Sequence, residues 1–307
     1  MARKQNFDLD SGIPSLAGKV ILITGGTSGL GKATLLALAA HKPEAILFTG
    51  RNTANGEQVV KDVKAISSTI DVLHLPCDQS DLHSVDAAMK RLLEHVQRLD
   101  IVICNAGVMG KDAVLTKDGY EYHFGVNHLA HGLIIKQLLP LLKSTANRYG
   151  DARVVSVASN GFRWTPGGGI VFEELQTTQD MAFAGRWRRY GQSKLANVVY
   201  AAELTRRHPE ISSVSIHPGV IFTDLWDPNL SLLNRVFVWL ATLGQSVSVE
   251  QGILNPCWAA TTSKENFKAG AYYEPVGVEG AQTKDSSNEK LKQQLWNWTE
   301  EQLKTYS

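Results

Sequence analysis

Seven short apolar runs, most of them rich in β-branched residues, recur along this chain: Val20–Thr24, Ala45–Thr49, Val72–Leu75, Ile101–Cys104, Val154–Val157, Val214–Ile216 and Ala271–Tyr273. Hydrophobicity within each run is nearly continuous rather than alternating, which marks a strand covered on both faces. Between the runs the apolar spacing is helical, over 30–41, 55–67, 81–98, 121–146, 189–207 and 247–262. This alternation predicts an α/β fold, a doubly wound Rossmann-type parallel sheet of about seven strands with right-handed crossovers. No repeat or low-complexity linker divides residues 1–307, so they read as a single domain. Its longest irregular stretches, about 160–188 and 221–245, read as a small substrate lid.

In such a sheet, ligands bind beyond the carboxyl ends of the strands. The residues following the runs are Gly25–Gly31, Arg51-Asn52, Asp78, Asn105-Ala106-Gly107, Ser156–Ser159 and His217-Pro218-Gly219, six polar or glycine-rich loops on one edge. The first reads TGGTSGLGKA and nearly fits two phosphate fingerprints. Gly26, Gly31 and Lys32 have P-loop spacing, but Ala33 stands where a hydroxyl should hold magnesium. The G-x-G-x-x-G dinucleotide pattern fails on spacing.

A net charge of +1 excludes a nucleic-acid footprint, which needs a basic excess. The densest basic cluster, Arg186-Trp187-Arg188-Arg189, reads as a solvated helix start. Three cysteines without metal-type spacing suggest a reducing compartment, with Cys77 and Cys104 as buried small hydrophobes. A polar N-terminal segment and the absence of a long apolar run predict a cytoplasmic protein without a transmembrane segment. The nearest approach, Leu230–Leu243, is broken by Asn234 and Arg235. His123, His128 and His131 lie close in sequence without carboxylate or cysteine partners in register, and read as surface residues of a helix rather than a metal site.

The ordered motifs resemble the short-chain dehydrogenase/reductase family from about Gly18 to Tyr273. Thr24-Gly25-x-x-x-Gly29-x-Gly31, Asn105-Ala106-Gly107, Asn127, Ser159, Tyr190-x-x-x-Lys194 and Pro218-Gly219 carry the likeness. The wording RYGQSKLAN at 189–197 and HPGVIFTDL at 217–225 is most similar to the branch of retinol dehydrogenases and WW-domain oxidoreductases. Ser159 and Tyr190 stand 31 residues apart, farther than in many members. Ser156 is the alternative serine; strand alternation points the two to opposite sides, and Ser159 at the strand end is preferred.

The resemblance implies a Ser159–Tyr190–Lys194–Asn127 site for hydride transfer between a nicotinamide and a carbonyl carbon. Tyr190 and Lys194, four residues apart on a predicted helix, share one face. An ammonium ~5 Å from the phenol interacts by about 3 kcal/mol at an effective dielectric of ~20, about two pKa units toward phenolate. Such a pair suits acid–base work near neutral pH. By resemblance, Ser159 holds the substrate oxygen, Lys194 also binds the nicotinamide ribose, and Asn127 positions a water that links Lys194 to solvent.

The cofactor loop then becomes a pyrophosphate cradle formed by Gly25, Thr27, Ser28, Gly29, Leu30, Gly31 and the helix start at Lys32, whose side chain reads as solvent-facing. Enzymes using NAD usually carry an acid ~20 residues further on. Arg51, followed by Asn52, stands there instead, and a guanidinium can clamp a 2′-phosphate. NADP(H) is the expected cofactor, although Arg51 merely stacked on adenine would suit either form. The resemblance puts Asp78 near the adenine, Asn105, Ala106 and Gly107 along its ribose, and Pro218, Gly219, Val220 and Thr223 around the nicotinamide and phosphate.

Met109, Phe162, Trp164, Phe183, Trp187, Trp226, Phe237 and Trp239 suggest an apolar pocket for a bulky lipophilic carbonyl or alcohol, such as a retinoid, steroid or polyketide-like ketone of secondary metabolism. A carbonyl reductase is the leading expectation. A redox-silent NADP-binding regulator and a reductase fold doing dehydration or cyclisation remain as alternatives. Related proteins pair through the Tyr190 helix and the 247–262 helix, so a homodimer is a further expectation.

Overall fold

The computed structural model describes residues 6–181, 184–221 and 246–306. In chain order they form β1 (Val20–Ile23), α1 (Gly29–Ala39), β2 (Ala45–Gly50), α2 (Thr53–Ile66), β3 (Asp71–Pro76), α3 (Leu82–His95), β4 (Ile101–Cys104), α4 (Ala130–Tyr149), β5 (Arg153–Val157), α5 (Gly185–Arg207), β6 (Ser212–Ile216), α6 (Leu254–Thr261), β7 (Tyr272–Glu274), β8 (Val278–Glu279) and α7 (Glu289–Gln302). The sheet order is β3-β2-β1-β4-β5-β6-β7-β8. The seven expected strands are all present and parallel. The eighth adds a two-residue antiparallel edge, too short to leave a periodic signal in the sequence.

Alternate residues of each central strand feed opposite cores. Leu22, Leu47, Val102 and Val154 pack under α3, α4, α5 and α7. Ile21, Ile46, Ile103 and Val155 pack under α1, α2 and α6. This is why the runs are apolar throughout: neither face reaches water. β3 departs from the expectation, for it is an edge strand in which only Leu75 is buried.

The stretch expected as one helix over 121–146 is interrupted. A short turn at Tyr122–Phe124 leads into a π-helical turn, Gly125–Leu129, before α4 begins. Asn127 sits in the π turn, a distortion that recurs at functional sites.

The apolar runs and helical spacings end at Tyr273, before α7. Leu291, Leu295 and Trp296 of α7 enter the core, and Trp296 stacks on Tyr200 of α5 with ring centroids 4.9 Å apart. Thr299 bonds His128, and Glu300 pairs with Lys136 of α4. α7 thus packs against the Tyr190 helix, one of the two helices through which the resemblance implies pairing. No helix among the described residues is long and apolar enough to cross a membrane. The 230–243 segment lies outside the described residues.

Candidate active site

β1 and β4 are neighbours whose following loops part to opposite sides of the sheet, and a cleft opens at this reversal. It forms a cavity of about 570 Å³, with Gly25, Thr27, Leu30, Arg51 and Asp78 along one side and Gly107 close to Lys194. Ser159, Tyr190 and Lys194 stand on the other.

The cradle is mostly main chain. A Cβ on Gly31 would lie 2.2 Å from the Gly25 carbonyl oxygen and 2.4 Å from Asn105 Nδ2, so helix and loop meet here only through glycine. Ser28 is the N-cap of α1, yet no side chain caps it, which leaves the first amides of the helix toward the cleft. Asn105 Nδ2 donates to the Thr24 carbonyl, and the Asn105 and Ala106 amides donate to the Thr24 hydroxyl, each at 2.9 Å. These bonds fix the loop after β1 to the loop after β4. Pro218, Gly219 and Val220 also line the cavity, as do Ser28, Gly29, Asn105 and Ala106.

Two of the expected cofactor residues, Lys32 and Asn52, do not line this cavity. Lys32 lies off its lining: its amide bonds the Ser28 carbonyl and its ammonium pairs with Asp62 at 2.8 Å. Asn52 is the N-cap of α2, where its side chain accepts from the Asn55 amide at 2.9 Å. Asn52 thus satisfies a helix end, and Lys32 bridges α1 to α2. Thr223 falls outside the described residues. Arg51, by contrast, is exposed on the lining, and no described residue pairs with its guanidinium. The Asp78 carboxylate accepts from both the amide and the hydroxyl of Ser80, at 3.0 and 2.8 Å.

Tyr190 and Lys194 are both buried on α5. The Ser159 hydroxyl hydrogen-bonds the Tyr190 phenol and accepts from the Gly161 amide at 3.1 Å. Ser156 lies within β5, paired with Cys104 and Ser215, away from the cavity lining. Gly191 explains the alignment of helix and serine. A Cβ there would come within 2.2 Å of the Trp164 carbonyl oxygen and 2.7 Å of that of Gly161. The turn after Ser159 therefore lies directly against the α5 backbone. Asn127 stands behind the wall, its side chain committed to Val108 and Ser193.

The expected lowering of the Tyr190 pKa is not found. Burial pushes the phenol up to about 12, with the Ser159 hydrogen bond opposing it. Burial also brings Lys194 down to about 8. Its ammonium lies 5.8 Å from the Tyr190 ring centroid and donates to the Val157 carbonyl at 2.8 Å. Removal from water dominates at this buried phenol, and the opposing influence is the Ser159 hydroxyl rather than the Lys194 charge.

Other side chains depart from their expected surface roles. His123, His128 and His131 are all buried. His123 Nδ1 bonds the Glu121 carboxylate at 2.9 Å, so a carboxylate partner does exist. Arg189 of the basic cluster is buried against Glu121 and donates to the carbonyls of Gln179 and Lys111, tying the long insertion to the wall of the site. Arg186 pairs with Asp112 at 2.6 Å. Only helical periodicity, placing Arg189 on the apolar face, hinted at this burial. The three cysteines are free and buried, and burial pushes each thiol up to about 12.

Of the expected pocket aromatics, Trp164 and Trp187 line the cavity together with Val108, Met109 and Tyr122. Phe162 does not: it is core, packed edge-on against Tyr272 at 4.9 Å. Phe183, Trp226, Phe237 and Trp239 lie outside the described residues.

Comparison with known proteins agrees with this geometry. The model of the short chain dehydrogenase family matches residues 19–172. The short-chain dehydrogenase/reductase drtF of Aspergillus calidoustus is 32% identical over 95% of this chain and 96% of its own length. Retinol dehydrogenase 12 of Mus musculus is 33% identical over 92% of this chain and 85% of its own. Among solved structures, a Mycobacterium paratuberculosis protein superimposes with a TM-score of 0.73 at 26% identity, covering 98% of both chains. The chain therefore belongs to the short-chain dehydrogenase/reductase family of nicotinamide-dependent oxidoreductases, in its retinol-dehydrogenase-like branch.

Proposed function

We propose that this protein uses NADP(H) to interconvert a bulky lipophilic ketone or aldehyde and its alcohol. The observation that carries the reading is a wall of half-buried Ser159 with buried Tyr190 and Lys194, lining the same cleft as a main-chain phosphate cradle. The bound nicotinamide supplies or takes the hydride. Tyr190, kept protonated by burial, holds the proton that passes to the substrate oxygen in reduction. Ser159 holds that oxygen as charge develops on it. Lys194 binds the nicotinamide ribose, and Asn127 holds the water that resupplies Lys194 with protons.

Arg51 supports the choice of NADP(H). No carboxylate stands at the end of β2 to repel a 2′-phosphate, and the guanidinium is open to clamp one. Met109, Tyr122, Trp164 and Trp187 supply the lipophilic wall of a single domain, and the rest of the expected lid, 222–245, lies outside the described residues. Free, buried cysteines fit a reducing compartment such as the cytoplasm.

The test is oxidation of NADPH, followed by its absorbance, with a panel of bulky aldehydes and ketones. Turnover that grows with substrate hydrophobicity and favours NADPH over NADH is the expected result. Cofactor binding without turnover on any carbonyl would sink the reductase reading.

A further inference from the structure

Two strand-end loops and the π turn meet at an imidazole that the proposed chemistry does not use. His131 is buried on α4, one helical turn beyond Asn127. Its Nε2 lies 2.9 Å from the Thr24 hydroxyl, in the loop after β1. The same Nε2 is 3.3 Å from Gln79 Nε2, in the loop after β3, which also donates to the Val126 carbonyl at 3.0 Å. His131 Nδ1 lies 2.9 Å from the Asn127 carbonyl oxygen.

Hydrogen-bond accounting fixes the direction of every link. The Thr24 hydroxyl already accepts the Asn105 and Ala106 amides, which uses both lone pairs and leaves only its proton. His131 Nε2 at 2.9 Å is a far better acceptor for that proton than the Ile103 carbonyl at 3.5 Å. Nε2 therefore accepts, and the ring proton sits on Nδ1, which donates to the Asn127 carbonyl. A neutral imidazole has one donor and one acceptor, and both are spent here. Burial brings the His131 pKa down to about 4, so the neutral tautomer persists across physiological pH.

The path continues beyond Asn127. Asn127 Nδ2 donates to the Ser193 hydroxyl at 2.9 Å, and that hydroxyl donates to the Tyr190 carbonyl at 2.7 Å. We propose that His131 is a positioning residue that couples the cofactor loop to the helix carrying the acid–base tyrosine. The chain runs from the Asn105 and Ala106 amides through Thr24, His131, Asn127 and Ser193 to the backbone of Tyr190. Seating of a cofactor against the cradle thereby sets where the phenol stands. The kinetic part of this proposal rests on the reductase reading; the coupling itself does not.

The test compares His131→Ala, His131→Phe and His131→Gln. Phe keeps the volume without the bonds, and stands in should Ala fail to fold. Gln restores one N–H and one carbonyl. In the protein without cofactor, hydrogen–deuterium exchange of the segment holding Asn105 and Ala106 should speed up about tenfold in Ala or Phe, the effect of losing one buried hydrogen bond. The NADPH Kd, read by fluorescence, should weaken about tenfold, and kcat should fall by a similar factor. Gln should recover most of each loss. Thr24→Val combined with His131→Phe should bind NADPH no worse than the weaker single variant, because one chain is broken only once.

Unchanged exchange and Kd in a folded Ala or Phe variant would overturn the proposal, as would a Gln variant no better than Phe, or additive effects in the double variant. A native protein inactive on every carbonyl would overturn only the reductase reading, since exchange and Kd need no turnover.

Discussion

The two sides of the cleft are built from different materials. The cradle side is main chain, with loop amides, an uncapped helix start and a glycine with no room for a Cβ. The proposed catalytic side rests on side chains, and burial sets the proton affinities of its Tyr190 and Lys194. A backbone cradle needs only the right local conformation. An acid–base wall also needs everything packed around it. The two should therefore fail separately.

Tyr190→Phe gives the largest separation. Turnover should fall by about 10³, within the usual range for a general acid, while the NADPH Kd stays within about twofold. Parallel measurement of turnover and binding decides it, and loss of both together would erase the distinction between the two sides.

A paired comparison of glycines sharpens it further. Gly191→Ala forces apart α5 and the turn after Ser159, so kcat should drop about a hundredfold with cofactor affinity retained. Gly31→Ala makes an equally close contact in the cradle, and there the Kd should rise instead. If both variants lose the same parameter, the two sides are one structural unit.

Arg51→Ala should cost about ten- to a hundredfold in NADPH affinity and leave NADH binding unchanged, as removal of a charge-assisted clamp requires. A titration with each cofactor reads the difference directly, and an equal loss for both would point to adenine stacking.

The smallest effect is in pH. Lys194 is held near about 8 by burial, so carbonyl reduction should decline as pH rises through that value. Stability should move the opposite way. Between about 8 and its ordinary value of 10.5, the unfolded chain binds a proton at Lys194 that the folded one does not. The fold therefore gains stability with rising pH in that window. Lys194→Met should remove this contribution, visible as a flatter dependence of Tm on pH than in the native protein.

Much of this was legible in the sequence because it is local. The strand runs fixed the positions of the loops, and Gly25, Thr27–Gly31, Asn105–Gly107, Ser159 and Pro218–Gly219 come to the cleft by following their strands. The four-residue spacing put Tyr190 and Lys194 on one helix face, as helical geometry requires. The ion pair of Lys32 with Asp62 and the helix cap made by Asn52 were not legible, since the sequence places each beside its strand end but does not name its partner. His131 gave no useful signal, since its partners stand 107 residues away at Thr24 and 52 away at Gln79.

The sequence by itself determined the parallel sheet, the order of its loops and the spacing of the acid–base pair, all of which follow from periodicity over a few residues. Tertiary structure alone decided that the phenol rises to about 12 and the ammonium falls to about 8, that Arg189 and three histidines are buried, and that α7 covers the Tyr190 helix. Burial is a sum over groups brought together from distant parts of the chain, and the free energy of a charge depends on that sum rather than on its neighbours in sequence.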